Sequence, residues 1–493
     1  MSDNAYLLAS KQWYETPALA TVRSDFQDEV RSHLPESGWQ VRRNDIWLQV
    51  DSFVDQVPEQ GFKIHVSSIP DCAKALLGLV TRACVARDIS FKCAAGPELL
   101  AFQNGKNRDR GGGGKFITIY PPSHEAFLDL LETLYQETAG KDFVGPYILS
   151  DRRYKDSRVL YYRYGGMKVR RRLMADGLEV AILVGPDGGE VKDLRQAFFS
   201  LPPWVEDPFE EADEEDGSVI GGSFEVTAMI SATNRGGVYE ALDLDSGSTV
   251  VIKEARPHVH RTTRGTATID SHSLLEHEYD VLRHLDGLDC TVRPIKLFKE
   301  WEHLFMAEEK VQGIMLRTAA GRAEDLWLPY ARNGMSFGDI EPKFYRLGES
   351  LLDAVEAIHA RGVIISDLST NNVMVDPDSW DVRLIDFEAA IRVGKDEHMM
   401  PALSKWTTPG YVRKQRIASG VVTFEDDYYA ASRVLLNTLV PTGALSALNP
   451  DCHAAFIGFL LDIGVPEWVA DLIEATAAGD VSSARAALAH PNV

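Results

Sequence analysis

Two aspartates and an asparagine occur at spacings that suit the transfer of a phosphoryl group. Asp367 and Asn372 stand in the order D-x-x-x-x-N, and Asp386 precedes Phe387 after the next apolar segment. In a kinase catalytic loop, the first aspartate accepts the substrate hydroxyl proton, and the asparagine and second aspartate bind the metal ions. Because Asp and Asn are also common in hairpin turns, a simple turn is the alternative for this stretch alone.

A degenerate phosphate loop precedes these residues in the chain. In Ser231-Ala-Thr-Asn-Arg-Gly-Gly-Val-Tyr239, Gly236 takes the place of the third glycine of a glycine-rich loop, and Val238 lies two residues after it. Ser231 and Thr233 replace the first two glycines. The loop alone is weak support for nucleotide binding, and the lysine and glutamate motifs downstream of it strengthen that support.

A lysine and a glutamate complete the order expected of a kinase amino-terminal lobe. Val250-Val-Ile-Lys253 matches V-A-I-K, which places Lys253 to bind the nucleotide phosphates. A helical pattern comes next, in which Glu278 is the preferred partner of Lys253 and Glu276 is the alternative. A lone lysine in an apolar strand is usually an edge lysine. The ordered set, however, predicts a kinase fold that uses ATP or GTP with Mg²⁺.

Several departures from the usual kinase pattern are informative. Ser366 stands where an arginine usually receives the phosphate of the activation loop, so we do not expect activation by loop phosphorylation. Ser369 replaces a common lysine, and Glu388 replaces the glycine of D-F-G. Because the metal ligands and Lys253 remain, an active kinase is favoured over a pseudokinase. Asp427 is expected to anchor the catalytic loop from the next large helix.

Composition limits the remaining classes of function. The formal net charge of −22 over 493 residues argues against a general nucleic-acid binder. We find no signal peptide and no apolar run long enough to cross a membrane, so we predict a cytoplasmic protein without a membrane partner. Five scattered cysteines without a C-x-x-C pair favour a reducing compartment and predict no zinc site.

The first two hundred residues alternate strand and helix patterns, which predicts an α+β domain. The expected strands are 47–53, 62–67, 90–93, 115–120, 160–164 and 178–183, and the expected helices are 71–87, 97–102 and 123–138. A carboxylate-rich run at 205–216 cannot pack against itself and predicts a linker. The predicted division is therefore 1–204, an acidic linker at 205–220, and a two-lobed protein-kinase-like domain at 221–493.

Cations in this first region suit the elimination of phosphate from phosphoserine or phosphothreonine. Lys63 and His65 share a strand face, and a glycine loop lies between Arg110 and Lys115. The reaction needs a base for a weakly acidic proton, cations for the phosphate and the enolate, and an acid for the leaving group. A lysine crowded by cations can be the base, and a histidine beside a phosphate is expected to stay protonated. A basic surface that merely binds phosphate or acidic peptide is the alternative.

Four strings carry a resemblance to a known family: Gly61-Phe-Lys-Ile-His-Val66, Gly114-Lys-Phe-Ile-Thr-Ile-Tyr-Pro121, Gly145-Pro-Tyr-Ile-Leu-Ser-Asp-Arg-Arg-Tyr154 and Tyr161-Tyr-Arg-Tyr-Gly165. With the kinase motifs, the chain resembles class III and class IV lanthipeptide synthetases. The resemblance implies a phospho-Ser/Thr lyase domain at 1–204, with a fold related to bacterial phosphothreonine lyases. It also implies that the kinase phosphorylates Ser and Thr of a ribosomal precursor peptide, and that the lyase leaves dehydroalanine and dehydrobutyrine.

The same resemblance assigns residues to roles in the lyase. Lys92 is implied as the base and His65 as the acid, while Lys63, Arg110 and Tyr120 are implied to bind the phosphate or the activated carbonyl. Further phosphate-pocket candidates are Lys115, Arg152 and Arg163, whose alternative role is structural ion pairing.

Family members usually continue into a cyclase domain, and this sequence ends at Val493. We therefore expect either a truncated chain or a natural two-domain dehydratase with a separate cyclase partner, and no thioether formation by this chain. The leader and Ser/Thr-rich core of a precursor peptide are the expected substrate. Two other functions stay open: a Ser/Thr kinase whose amino-terminal domain only binds partners, and a noncatalytic scaffold.

Overall fold

The computed structural model describes residues 25–54, 57–168, 170–209, 219–264, 267–321, 336–404, 406–449 and 451–489. The chain divides into two compact units. The first comprises Met1–Ser218, Ile230–Gly237 and Glu254–Arg261, and the second comprises Val219–Met229, Val238–Lys253 and Thr262–Val493. Most of the predicted linker, at 210–218, and the ends of the two predicted domains, at 1–24 and 490–493, lie outside the described residues.

The first unit is built on an antiparallel sheet with helices against it. Its sheet has the order β1-β2-β4-β5-β3-β7-β6, and β8, β9 and β10 form a smaller sheet. The elements in chain order are α1 Asp25–Ser32, β1 Trp39–Asn44, β2 Trp47–Ser52, β3 Gln60–Val66, α2 Pro70–Val85, β4 Phe91–Ala94, α3 Pro97–Gln103, β5 Ile117–Ile119, α4 His124–Thr138, β6 Arg152–Arg153, β7 Leu160–Gly166, β8 Arg171–Leu173, β9 Glu179–Val184 and β10 Glu190–Lys192. The predicted α+β layout is confirmed. The sequence pattern did not predict α1, β1 or the short strands β6, β8 and β10.

Alternation along β3 divides this sheet into two chemically different faces. Phe62 and Ile64 point into the apolar core, where they join Phe127 of α4. Because successive side chains on a strand point to opposite faces, Lys63 and His65 lie on the other face. The helices therefore cover the apolar face, and the cationic residues gather on the face opposite it. Ser123 caps α4 by accepting a hydrogen bond from the Ala126 amide, which fixes where this covering helix begins.

The second unit contains a twisted sheet, a long central helix and a largely helical remainder. The strands β11-β12-β13-β14-β18-β17 are neighbours in that order in its larger sheet. The elements are β11 Val219–Ile220, β12 Phe224–Thr233, β13 Gly236–Asp243, β14 Thr249–Ala255, β15 Thr262–Arg264, β16 Ala267–Ile269, α5 Ser271–His284, β17 Pro294–Glu300, β18 His303–Glu309, β19 Ile314–Met315, α6 Leu316–Gly321, a 3-10 turn Phe337–Asp339, α7 Glu341–Ala360, β20 Val363–Ile364, β21 Val373–Val375, β22 Val382–Leu384, β23 Ile391–Arg392, α8 Met400–Leu403, α9 Lys414–Ser419, α10 Phe424–Leu439, α11 Gly443–Leu448, α12 Cys452–Asp462, α13 Glu467–Ala478 and α14 Val481–Leu488.

Helical periodicity builds the core that supports the catalytic loop. Phe344, Leu347, Leu351, Val355 and Ile358 of α7 are buried at intervals of three and four residues, as expected for one helix face. The helix contacts α10, α14 and β22. Near the carboxyl end, α13 and α14 pack against each other, and α13 also packs against α10. In the described part of the chain, every helix is too short or too polar to cross a membrane.

Candidate active sites

Strand register gathers the predicted lyase residues on one face of the first sheet. Lys92 of β4 lies opposite Thr118 of β5, and Thr118 lies opposite His65 of β3. Since neighbouring strands are about 4.8 Å apart, the Cα atoms of Lys92 and His65 are separated by roughly 10 Å. Lys63 occupies the same face two residues before His65, and it lies opposite Arg163 of β7.

Burial and crowding by cations lower the pKa values of three lysines in this cluster. Burial lowers the pKa of Lys63 to about 7, with Arg163 and Arg195 contributing. Burial and Arg195 lower the pKa of Lys92 to about 8. Burial, Arg163 and Arg195 lower the pKa of Lys115 to about 8, against the attraction of a carboxylate. Each lysine therefore exists partly as the free amine near neutral pH, which a proton-abstracting base requires.

A buried carboxylate connects His65 to Lys115. Asp151 is 1% exposed, and its Oδ2 forms a short hydrogen bond with Nδ1 of His65. Its Oδ1 lies 3.2 Å from Nζ of Lys115 and accepts the hydroxyl hydrogen of Ser150 at 2.7 Å. Burial alone would raise the pKa of Asp151, but the attraction of His65 and Lys115 holds it well below its usual range. Asp151 therefore carries a negative charge between two basic side chains.

The protein surroundings of His65 by themselves favour its neutral form, and the expectation that it is protonated beside a phosphate stays a prediction. Burial lowers the pKa of His65, and the charges of Lys115 and Lys63 outweigh part of the attraction of Asp151. An ionised Asp151 accepts a hydrogen bond from Nδ1–H, which assigns the proton of neutral His65 to Nδ1 and leaves Nε2 as an acceptor. A phosphate dianion near Nε2 would raise the pKa of His65 again. His65 can therefore act as the acid only while the phosphate of the substrate is bound.

Two further predicted residues suit binding rather than proton abstraction. Burial raises the pKa of Tyr120, so its hydroxyl remains a hydrogen-bond donor at neutral pH. Lys63 donates to the carbonyl of Gly166 at 2.6 Å. The ammonium group of Lys92, by contrast, lies 4.7 Å from the ring centre of Trp47, which holds the lysine stem in place.

The three predicted arginines differ in how strongly their charges act on the lysines of the cluster. Arg163 lies within the cluster, since its charge lowers the pKa of Lys63 and of Lys115. Arg110 and Arg152 are not among the main causes of the lowered pKa values of those lysines. Each arginine also has a carboxylate partner: Arg163–Asp193 at 2.6 Å, Arg152–Asp207 at 2.6 Å and Arg110–Glu254 at 3.9 Å. Structural ion pairing, the alternative role considered from the sequence, thus describes Arg152 well.

Close approaches by neighbouring atoms explain the glycines of the loop before β5. A Cβ atom on Gly111 would lie 2.0 Å from the carbonyl oxygen of Arg195, and one on Gly113 would lie 2.3 Å from Oδ1 of Asn234. Gly114 has φ +81°, a conformation that favours glycine. The loop therefore packs against the backbone of Arg195, whose charge reaches all three lysines.

In the second unit, Asp427 anchors the catalytic loop as predicted. It is fully buried and accepts hydrogen bonds from the amides of Ile365 at 2.7 Å and Ser366 at 2.8 Å. Ser366 has φ +72°, a strained conformation for a residue with a side chain. Arg416 stabilises it by donating to its carbonyl oxygen at 2.6 Å and to its hydroxyl at 2.9 Å. The guanidinium of Arg416 therefore holds the catalytic loop in this conformation.

The three residues predicted to act in phosphoryl transfer have distinct environments. Oδ1 of Asp367 accepts a hydrogen bond from the amide of Thr408 at 2.7 Å, and burial raises the pKa of Asp367. Nδ2 of Asn372 donates to the carbonyl of Asp367 at 2.8 Å, which leaves its amide oxygen for a ligand. Asp386 has φ +68° and lies near enough to raise the pKa of Lys253. Amide and carboxylate oxygens fit Mg²⁺, so Asn372 and Asp386 would hold it.

Carboxylates surround Lys253. Its Nζ lies 2.6 Å from Oε1 of Glu278 and 3.3 Å from Oε1 of Glu308. Burial alone would lower the pKa of Lys253, but the attraction of these carboxylates raises it above its usual range. Oε1 of Glu278 also accepts a hydrogen bond from the amide of Phe387 at 3.1 Å. Glu276, the alternative partner, is exposed.

The turn between β12 and β13 belongs to the first unit. Gly236 must be glycine, because a Cβ atom there would lie 1.8 Å from the carbonyl oxygen of Glu254. The other predicted phosphate-loop residues are distributed along the hairpin, where Ser231 is exposed, Thr233 Oγ1 donates to Gly236 O at 3.5 Å, and Val238 lies opposite Lys253.

Sequence reasoning missed four residues at these sites: Asp151, Arg195, Glu308 and Arg416. Two of them gave a usable signal. Asp151 directly precedes an arginine pair in one of the four strings shared with the family, and Glu308 directly follows the apolar residues of β18. Arg195 and Arg416 lie in unremarkable sequence, and only the fold brings them to their partners.

Comparisons with known proteins agree with the two units in type and order. The model of the family "RamC, N-terminal domain" matches residues 27–218, and the model "Protein kinase domain" matches residues 224–451. The probable SapB synthase of Streptomyces coelicolor is 36% identical over 424 residues, which cover 85% of this chain and 43% of that protein. CBL-interacting protein kinase 22 of rice is 25% identical over 208 residues, or 40% of this chain and 44% of that kinase.

The chain therefore joins a RamC amino-terminal domain to a protein kinase domain. Its resemblance to the class III and class IV lanthipeptide synthetases is confirmed by these matches. The chain spans less than half the length of the SapB synthase it matches. ATP and Mg²⁺ are the usual nucleotide and metal of a protein kinase domain.

Proposed function

We propose that the chain dehydrates a ribosomal precursor peptide in two steps. The kinase domain phosphorylates Ser and Thr side chains, and the amino-terminal domain eliminates the phosphate to leave dehydroalanine or dehydrobutyrine. The observation that carries the proposal is the placement of Lys92 and His65 on one sheet face, among buried cations that lower the pKa of Lys92.

In the elimination, Nζ of Lys92 removes the α-proton of the phosphorylated residue. The electron pair of that C–H bond is first held as an enolate, and it then forms the Cα–Cβ double bond as the Cβ–O bond breaks and phosphate leaves. In this proposal, Lys63, Arg163 and Tyr120 bind the phosphate or the enolate oxygen, and Lys115 adds positive charge. His65 donates the leaving-group proton after the phosphate has raised its pKa, while Asp151 fixes its orientation.

In the phosphorylation, Asp367 accepts the proton of the peptide hydroxyl. Lys253 binds the nucleotide phosphates, and Glu278 holds it in place. Mg²⁺, held by Asn372 and Asp386, would neutralise the charge on the phosphates. The SapB synthase similarity supports a precursor peptide as the substrate, with a separate cyclase as a possible partner.

Mass spectrometry of a Ser/Thr-rich precursor peptide tests both steps. With protein, Mg²⁺ and ATP, we expect a net loss of water at each modified residue. Lys92→Ala should accumulate phosphopeptide, and Asp367→Asn should give unmodified peptide yet still dehydrate a chemically phosphorylated one. Lys155→Ala, which removes an exposed lysine paired with Glu132, is the control. A stable gain of phosphate with wild-type protein would instead support a kinase with a phosphate-binding amino-terminal domain.

A further inference from the structure

Arg416 is a buried arginine that connects two segments of the second unit. It lies on α9 and is 3% exposed. Its Nη1 donates to the carbonyl oxygen of Ser366 at 2.6 Å, and its Nη2 donates to the hydroxyl oxygen of Ser366 at 2.9 Å. The same guanidinium donates to the carbonyl oxygen of Ser404 from Nε at 3.2 Å and from Nη2 at 3.1 Å. One side chain therefore joins the catalytic loop to the residue that ends α8.

Ser404 belongs to the activation segment, which in a kinase follows the D-F-G position. Asp386 occupies that position in this chain. A second contact joins the same two segments, because the amide of Thr408 donates to Oδ1 of Asp367 at 2.7 Å. The activation segment is therefore attached to the catalytic loop at Asp367 and, through Arg416, at the residue before it. Since Arg416 is buried and charged, water competes little for its hydrogen bonds.

Ser366 needs this support because its backbone is strained. Its φ of +72° is a conformation that residues with a Cβ atom rarely adopt. Asp427 accepts a hydrogen bond from its amide at 2.8 Å, and Arg416 holds its carbonyl oxygen and its hydroxyl. Because Asp367 is the next residue, the conformation of Ser366 determines where the carboxylate of the proposed proton acceptor points.

Kinases usually join these two segments through an arginine and a phosphate. The arginine stands on the catalytic loop, and the phosphate is added to the activation segment. In this chain Ser366 occupies the place of that arginine, and Arg416 reaches the two segments from α9. The groups that accept its hydrogen bonds are neutral oxygens, so the connection forms without any modification of the chain.

We propose that Arg416 is a positioning residue of the kinase: it orders the catalytic loop and the activation segment in place of a phosphorylated loop, so that the kinase is assembled without phosphorylation of its own chain. This inference rests on the proposed kinase function and concerns its regulation. Arg416 acts through Ser366 and Ser404 on the position of Asp367.

Steady-state phosphorylation of a Ser/Thr-rich precursor peptide tests the role of Arg416, with phosphorylated and dehydrated products counted together. Arg416→Gln should lower kcat about 10²-fold, the size of one or two lost charge-assisted hydrogen bonds, and should leave KM for ATP within about threefold. Lys414→Gln changes an exposed lysine that pairs with Asp451, and this control should keep the wild-type kcat. Equal kcat values for folded Arg416→Gln and wild-type protein would overturn the inference.

A glycine at position 366 distinguishes positioning from general stability. Glycine adopts a φ of +72° without a Cβ atom, so it needs less support than serine. Ser366→Gly, added to Arg416→Gln, should therefore recover kcat about tenfold, with Ser366→Gly alone as the reference. A merely structural arginine would give a double variant no more active than Arg416→Gln, and that result would overturn the positioning role.

Treatment with a phosphatase tests the regulatory part of the inference. Wild-type protein that is treated, freed of the phosphatase and shown by its intact mass to carry no phosphate before and after the assay should phosphorylate the peptide at its full rate. A loss of about threefold or more would overturn the inference and leave the kinase assignment intact. A peptide that stays unmodified before and after treatment would overturn both. This comparison decides the matter should Arg416→Gln fail to fold.

Discussion

Buried lysines occur in both compact units, and the charges around them have opposite signs. Lys63, Lys92 and Lys115 lie among other cations in the first unit, where burial and repulsion lower their pKa values to between about 7 and 8. Lys253 is also largely buried in the second unit, but carboxylates raise its pKa. The same side chain is thus prepared to lose a proton in one site and to keep it in the other.

This difference matches what each proposed reaction asks of a lysine. Elimination needs a free amine that can take a weakly acidic proton, and a lysine with a pKa near 8 offers a substantial fraction of free amine at neutral pH. Phosphoryl transfer needs a permanent positive charge against the phosphates. The acidic partners Glu278 and Glu308 secure that charge, although they compete with the phosphates for Lys253.

The largest expected effect comes from giving Lys92 a permanent charge. Lys92→Arg should slow elimination from a synthetic phosphopeptide by about 10³-fold or more, as severely as Lys92→Ala, because a guanidinium does not act as a base at neutral pH. Phosphorylation by the same variants should continue. Single-turnover elimination, monitored by mass spectrometry, provides the measurement. A Lys92→Arg variant with near wild-type elimination would contradict the assignment of the base.

The carboxylate of Asp151 joins two members of the cationic cluster, His65 and Lys115. Asp151→Asn removes the negative charge shared by His65 and Lys115, so we expect elimination to slow by about 10²-fold through loss of orientation at His65. A purely structural role would lower the unfolding temperature and the elimination rate together. Rates of the folded fraction, measured with Asp151→Glu as the conservative variant, distinguish the two. Full activity in folded Asp151→Asn would remove this residue from the mechanism.

How much the sequence predicts differs between the two sites. In the second unit, motif spacing was enough to bring Lys253 to Glu278 and to place Asp427 under the catalytic loop. In the first unit, strand alternation put Lys63 and His65 on one face, but the approach of Lys92 depended on which strands pair. That pairing joins β3 to β5 and β5 to β4, and no local pattern specifies it.

Residues that act through long-range contacts were the ones that escaped prediction. Asp151 lies 86 positions after His65 in the chain, so only the folded sheet brings the carboxylate to the imidazole. The neutral state of His65 also depends on burial, which sequence reasoning could not weigh against the charge of a phosphate. Glu308 follows an apolar run in the sequence, but its role beside Lys253 became visible only from the 3.3 Å distance between the two side chains.

The third prediction applies the arginine substitution to the other unit. Lys253→Arg keeps the positive charge that carboxylates secure there, so kinase kcat/KM should fall only about tenfold, through misfit of the larger head group. Lys253→Ala should fall much further, since it leaves Glu278 and Glu308 buried without a counter-charge. Peptide phosphorylation at saturating Mg²⁺ measures both variants. Equal losses in the two would mean that the charge of Lys253 is not what the site requires.

The smallest expected effect is a pH profile that separates the two units. For elimination, Lys92 must be neutral and Lys63 must be charged, and the pKa values of about 8 and about 7 then give a bell-shaped kcat/KM. The rate should fall about fivefold from pH 7 to pH 6, as Lys92 gains its proton, and about fivefold from pH 8 to pH 9, as Lys63 loses its own. In the Lys63→Arg variant the side chain stays charged, so the elimination profile should lose its alkaline limb and keep its acid limb.

Kinase kcat/KM should show no alkaline limb from Lys253 over this range, because the pKa of Lys253 is raised. A flat elimination profile in wild-type protein would mean that the protonation of Lys92 and Lys63 does not control the elimination rate.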